Sequence, residues 1–525
     1  MMLTPTQLFQ HLRGKVKRTW RLAFFSTVVI GLLVHLPAML SDIPNHDGLA
    51  SMYFDQNMIT SGRWFLMVAC GFSSFYTIPW LIGLLGILFL GFSSAALTEL
   101  LEVDRDWAIV LCSGLLVAFP ALASTFAYVF TLDGYMLALL LAVLAVLITK
   151  KYRLGFLGGA VCLAFSLGTY QAYLSFAMIL SLFAVLMLFA DGESLRNKVL
   201  GALHYLLMGV LGGVLYYVVL QVLLRVQGKE LASYQGINGI ASGTAAAGNS
   251  LGFSQSIKRV YTDFLAFSLR GNVLFQNVIS LTAIVLLVLT AAVLAMFLAY
   301  KRKWWKNPLF FAIIVIALAM VPLVTNIILL VSPEVTYHLL MRYQWVLYLI
   351  GLTAFVSRNG RLVRYGGWSE WLGLAAAFTL IFSYAVTDNI GYSNLQKRYE
   401  KTYAYCVRLL DRIEQTEGYY QGIPIAMVGV VSDDEYPVTD ITLPVTEGLI
   451  GLSSEESDSL LYTSVNYQEF MKHYLGATLN ILPAEAMAEM YYSEEYIKME
   501  SFPGKDSIRI IDGIMYIKTE DSVRE

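Results

Sequence analysis

The sequence predicts an all-α polytopic membrane protein of about eleven transmembrane helices, followed by a small C-terminal extracytoplasmic α/β domain. Three observations lead there. Hydrophobic residues fill 57% of the 525 positions and charged residues 14%, against roughly 25% charge in ordinary soluble domains. Apolar runs long enough to cross a bilayer, about 20 residues each, recur from residue 22 to residue 387. The charge then changes sign: residues 1–387 hold 25 Lys plus Arg and 14 Asp plus Glu, a net +11, whereas residues 388–525 hold 11 and 24, a net −13. The overall charge of −2 therefore conceals two regions, 1–387 and 388–525.

Expected spans are 22–41, 76–98, 107–123, 135–149, 155–170, 172–190, 199–224, 275–299, 308–331, 338–357 and 369–387. Each must be helical, because a segment in hydrocarbon has to satisfy its own N–H and C=O groups. The basic stretch 13–21 leads into the first run with no small-residue cleavage site, so that run reads as a retained span. Lys and Arg accumulate in cytoplasmic loops. Alternate loops hold Arg13, Lys15, Lys17, Arg18 and Arg21; Arg105; Lys150, Lys151 and Arg153; Arg196 and Lys198; Lys301, Arg302, Lys303 and Lys306; and Arg358, Arg361 and Arg364. Those 18 charges put the N-terminus in the cytoplasm, and an odd span number puts the C-terminal region outside. Cys70, Cys112, Cys162 and Cys406 form no disulfide pattern.

Beyond residue 388 the pattern is mixed. A helix is expected over 395–417 and a strand over 423–431. Residues 507–518 alternate around Asp512-Gly513, a hairpin signal. The acids Asp433, Asp434, Glu435, Glu455, Glu456 and Asp458 read as a solvated face rather than a metal site. The loop 225–270 carries Gly236, Gly239, Gly243 and Gly248, the composition of a movable lid, and 257–269 has the pattern of a helix lying on the membrane surface.

Candidate chemistry gathers in the outer loops. After the first span come Asn45-His46-Asp47-Gly48 and then Ser61-Gly62-Arg63-Trp64. Asp47 reads either as a base whose affinity for protons is tuned by its surroundings or as a helix cap. Asp133, in Leu132-Asp133-Gly134-Tyr135, carries the same two readings, and a carboxylate at that depth usually faces a protein cavity. Thr169-Tyr170-Gln171-Ala172-Tyr173 forms a short turn among helix ends, with interfacial anchoring as the competing role of its tyrosines. Glu334 precedes His338 and Arg342, which at a spacing of four share one helix face and together suit a phosphate; for Arg342 and Arg63 the alternative is contact with lipid headgroups. All these positions fall on one side of a topology derived without them.

This order of motifs resembles the bacterial serotype-converting glucosyltransferases of the GT-C superfamily, with Ile510-Ile511-Asp512-Gly513 as a weaker match. The resemblance implies an enzyme of the bacterial inner membrane. It would move a hexose from a polyprenyl-phosphate donor to a cell-surface polysaccharide or lipid-linked glycan. It casts Asp47 as general base and Asp133 as its assistant or acceptor guide, with Arg63, His338 and Arg342 on the donor phosphate. His46, Tyr170, Gln171 and Glu334 would contact substrate. No metal, cofactor or nucleic-acid partner is expected. Two other classes stay open: a flippase or transporter for lipid-linked sugars, which predicts inverted repeats and mid-membrane polar groups, and a non-catalytic subunit of a wall-assembly complex.

Overall fold

A computed structural model describes residues 4–190, 194–232, 253–271, 273–274, 277–306, 308–332, 335–360, 367–428, 443–446, 448–449, 451–452, 460–461 and 464–519. The expected lid glycines, the acids at 433–435 and 455–458, and Glu334 lie outside these residues.

The helices of the first region are α1 (Pro5–Lys15), α2 (Arg18–Leu40), α3 (His46–Ala50), α4 (Leu66–Phe75), α5 (Pro79–Leu100), α6 (Asp106–Ala118), α7 (Pro120–Ala127), α8 (Leu132–Lys151), α9 (Gly155–Thr169), α10 (Leu174–Ala190), α11 (Leu195–Gln227), α12 (Phe253–Arg270), α13 (Val278–Arg302), α14 (Pro308–Thr325), α15 (Ile328–Val331), α16 (Val346–Asn359) and α17 (Gly367–Gln415). Among the described residues, nine helices are long and apolar enough to cross a membrane, or ten if α6 and α7, bent by 41° at Phe119-Pro120, count as one. The protein is a polytopic membrane protein. The expected span 155–170 is α9, which has 15 residues, a rise of about 22 Å against a hydrocarbon core of about 30 Å.

Large apolar side chains such as Leu33, Val214, Met296 and Phe382 point outward and stay exposed, as lipid-facing residues do. The closest approaches between helices are made over small residues, as is usual where lipid removes the hydrophobic drive for association. At the α2–α5 seam a Cβ on Gly91 would lie 2.8 Å from the Phe24 ring. His35, fully buried on α2, is an ionisable group that the apolar reading of the spans overlooked. Its Nε2 lies 2.6 Å from the Val117 carbonyl and its Nδ1 2.6 Å from the Tyr392 hydroxyl. A carbonyl only accepts, so Nε2 carries the proton and Nδ1 accepts from Tyr392, which ties α2 to α6 and to α17.

The basic loops meet at one end of the bundle. Lys17 pairs with Glu99 at 2.7 Å, Arg18 with Asp106, Lys150 with Glu102 at 2.9 Å and Arg358 with Glu102 at 3.0 Å. At the other end the backbone leaves the α-helix in short 3₁₀ turns at Ile59–Ser61, Val129–Thr131, Gln171–Tyr173 and Leu339–Trp345. Irregular backbone is tolerated at such depth where protein surrounds it.

α17 runs unbroken for 49 residues across position 388, so the helix expected at 395–417 is the continuation of the last span. Beyond it lie β1 (Pro424–Val428), α18 (Leu443–Thr446), α19 (Ser464–Leu475), β2 (Asn480–Ile481), α20 (Ala484–Tyr491), α21 (Glu494–Ile497), β3 (Ile508–Ile511) and β4 (Ile514–Lys518). The sheet order is β2-β1-β4-β3, with β1 parallel to β2 and β4, and β3 antiparallel to β4. Asp512 and Gly513, at φ 51° and 78°, make the two-residue turn of that hairpin. The strand expected over 423–431 is present as Pro424–Val428, and residues 429–431 lie outside the described set.

Candidate active site at the end of the bundle opposite the basic loops

The first loop between spans is built from its caps upward. Asn45, 1% exposed, caps α3: its side chain accepts from the Gly48 N–H at 2.7 Å. That takes the capping role away from Asp47, the second residue of α3, whose side chain is 56% exposed. The His46 Nε2 lies 3.5 Å from its Oδ1.

Further along, Gly62 takes the left-handed conformation (φ 78°, ψ 5°) and turns the chain so that Arg63 enters the protein. Two clamps hold the turn. Gln171 Nε2 donates to the Ser61 carbonyl at 3.0 Å, and Tyr216 Oη donates to the Gly62 carbonyl at 3.2 Å. The Phe65 N–H donates to the Gly168 carbonyl at 2.7 Å. A Cβ on Gly168 would stand 2.4 Å from the Trp64 ring, so only glycine admits this approach of the loop to α9. Arg63 donates to Tyr135 Oη at 3.0 Å and lies over the Tyr170 ring at 5.1 Å. Tyr135 and Tyr170 stack at 4.1 Å and 13°. The Tyr170 hydroxyl, buried, has no hydrogen-bond partner among the described residues.

Arg63, Tyr135 and Tyr170 thus form one connected cluster.

Asp133 lies deeper. It is 2% exposed and occupies the first turn of α8, where the helix N-terminus favours a negative charge. Its Oδ1 accepts from the Gly134 N–H at 2.9 Å, and its Oδ2 accepts from the Ser73 hydroxyl. It bridges α8 to α4 and caps nothing across a turn.

His338 and Arg342 do not share a face of an α-helix as the spacing of four implied. His338 is extended (φ −70°, ψ 163°) and precedes a 3₁₀ segment, Leu339–Trp345, which is itself kinked at Arg342 (φ −105°, ψ 17°). In that geometry residues three apart align instead. Arg342 is committed elsewhere: its Nη1 and Nη2 each donate at 2.8 Å to the two oxygens of Asp263 on α12, and its Nε donates to the Tyr337 carbonyl at 3.2 Å. The Tyr337 and Phe267 rings flank it at 3.9 and 4.6 Å, and Asn326 adds a 2.9 Å bond to Asp263.

Sequence reading missed Tyr135 as a partner of Arg63, Tyr216 as a clamp and Asp263 as the partner of Arg342. Tyr216 offered only one of two adjacent hydroxyls inside an apolar span, and Asp263 only an acid on the polar face of the amphipathic stretch.

Neither a curated protein nor a solved structure matches the chain. The profile of the family described as Glucosyl transferase GtrII matches residues 36–357, more than half of the chain and every site position discussed above. The chain therefore belongs to the GtrII glucosyl transferase family and is a membrane-embedded glycosyltransferase.

Proposed function

We propose that the protein transfers a glucose-like hexose, with inversion, from a polyprenyl-phosphate donor to a cell-surface polysaccharide or lipid-linked glycan on the outer face of the bacterial inner membrane. The observation that carries this reading is an arginine held between two tyrosines in the same loop between α2 and α4 that bears Asp47, freed from capping by Asn45.

In this reaction Asp47 accepts the proton of the acceptor hydroxyl. The acceptor oxygen bonds to the anomeric carbon from the face opposite the phosphate. The bond from that carbon to the phosphate oxygen breaks, and its electron pair leaves with the phosphate. Negative charge grows there, and a fixed cation in a protein-lined site stabilises it most in the transition state. Arg63 supplies that cation, with His338 as second contact. Arg342 is neutralised by Asp263 and acts by shaping the Tyr337 wall. Asp133 acts at one remove, by holding α4 against α8 through Ser73. His46, Tyr170 and Gln171 line the substrate path, and the unpartnered Tyr170 hydroxyl suits a sugar hydroxyl. The lipid tail of such a donor runs along the apolar outer surface of the bundle.

The test is transfer by purified protein from a panel of polyprenyl-phosphate sugars, with Asp47→Asn alongside. Loss of at least a hundredfold in kcat with the glucose donor is expected; near wild-type transfer by Asp47→Asn refutes the base. A cysteine at Ser501 on the C-terminal region should react with impermeant reagents only from outside the cell.

A further inference from the structure

A helix of five residues cannot hold itself in water, since nucleation costs more than so few hydrogen bonds return. α3, which bears Asp47, has that length, so its geometry comes from what it docks on. Its dock is the C-terminal region. Leu49, 1% exposed, belongs to that region's hydrophobic core and packs with Tyr405, Leu409, Tyr467, Phe470 and Met471 rather than with the helical bundle. Asn466 of α19, 3% exposed, donates from Nδ2 to the His46 carbonyl at 2.8 Å. Either side of α3 the loop is fixed again: Tyr474 Oη donates to the Asp42 carbonyl at 3.5 Å, and the Tyr53 and His473 rings meet at 5.4 Å. These residues of α19 lie beyond the family match, which ends at 357.

We propose that the C-terminal region is a working part of the transfer site: α19 sets the position of α3, with Leu49 and Asn466 as positioning residues for Asp47. The catalytic half of this inference rests on Asp47 being the base; the docking half does not. Asp47 stays at the open side of α3 while Leu49, two residues on, plugs the core behind it, so displacing the plug turns the carboxylate away from the substrate.

The test uses full-length protein in lipid nanodiscs, with Cys162, the cysteine that is not fully buried, replaced by Ser and a nitroxide attached at Ala50→Cys, an exposed end of α3. Leu49→Ala and Asn466→Ala should each increase nitroxide mobility, and Leu49→Met should restore the ordered spectrum. With polyprenyl-phosphate glucose as donor, kcat should fall at least tenfold in both alanine variants while donor KM stays within twofold. Adding Asn466→Ala to Asp47→Asn should cost no further rate, because a positioning residue has nothing left to position; a general loss of structure would multiply the two losses. An unchanged nitroxide spectrum in both alanine variants overturns the docking, and increased mobility at an unchanged kcat overturns the positioning role. Full activity of Asp47→Asn together with a mobile, slow Asn466→Ala leaves the docking standing and removes the base.

Discussion

Gly62→Ala tests the turn that delivers Arg63 to the site. A residue with a Cβ pays about 1–2 kcal/mol to occupy the left-handed region, and Gly62 sits there at φ 78°. The new Cβ would also stand 2.6 Å from Tyr216 Oη and 2.7 Å from Gln171 Nε2. Both are the far ends of flexible side chains, so the overlap is relieved by swinging them away rather than by moving backbone. That movement forfeits their bonds to the Ser61 and Gly62 carbonyls, about 1 kcal/mol each. The total is about 3–4 kcal/mol, of which Gln171→Ala, which loses one clamp without strain, should reproduce about 1 kcal/mol. Activity should fall more steeply than stability, since Arg63 follows Gly62 directly and a displacement near 1 Å at a reacting centre costs about a hundredfold. Thermal unfolding in detergent and kcat for glucosyl transfer, measured on both variants, separate the two effects. A Gly62→Ala protein that melts and turns over like wild type refutes the turn geometry and its clamps.

Arg63→Lys keeps the charge but not the planar fork that lies over Tyr170. A ten- to hundredfold loss in kcat with little change in melting is expected, and wild-type turnover would mean that another group meets the phosphate. The Arg342–Asp263 pair is nearly closed to solvent, with side chains 10% and 25% exposed. Removing either partner alone should destabilise by about 3 kcal/mol, whereas the double variant Arg342→Met, Asp263→Leu should cost less than either single change; additive losses in unfolding free energy would disprove the coupling. Burial raises the proton affinity of Asp42 above that of an ordinary carboxylate. The folded state then binds the proton more tightly than the unfolded one, so stability is full in acid below the ordinary carboxylate range and falls as pH rises through the elevated value. Asp42→Asn should therefore raise the melting temperature at pH 7 and lose that advantage as pH drops toward 4, and an equal gain at both pH values would count against the desolvated carboxylate.

Helix positions were legible because a bilayer imposes length and apolarity together, and hydrocarbon offers no alternative to the helix. α9 shows the limit: its 15 residues make an apolar helix shorter than the hydrocarbon core it is expected to cross. The site's members were legible as residue types and order, but not their bonding. Asn45 and Asp47 are equally good caps by composition, and only the fold assigns the cap to Asn45 and leaves Asp47 exposed. The spacing of His338 and Arg342 fits an α-helix, yet the chain forms a 3₁₀ segment there, and spacing alone cannot distinguish the two. The boundary at 388 reflects a change of charge, whereas the backbone of α17 runs through it.

The two arginines of the site look alike in sequence and are held by different groups. Arg342 faces a bidentate carboxylate, so the pair presents little net field to an approaching anion, and a phosphate would have to displace Asp263 at the cost of leaving that acid half buried and unpaired. Arg63 donates to a tyrosine hydroxyl and lies over a tyrosine face, contacts that orient its guanidinium. The consequence is a division of labour in which Arg342 and Asp263 fix α12 against the 3₁₀ segment and set the wall at Tyr337. In the proposed transfer, contact with the leaving phosphate then falls to Arg63, which the Gly62 turn carries into the protein.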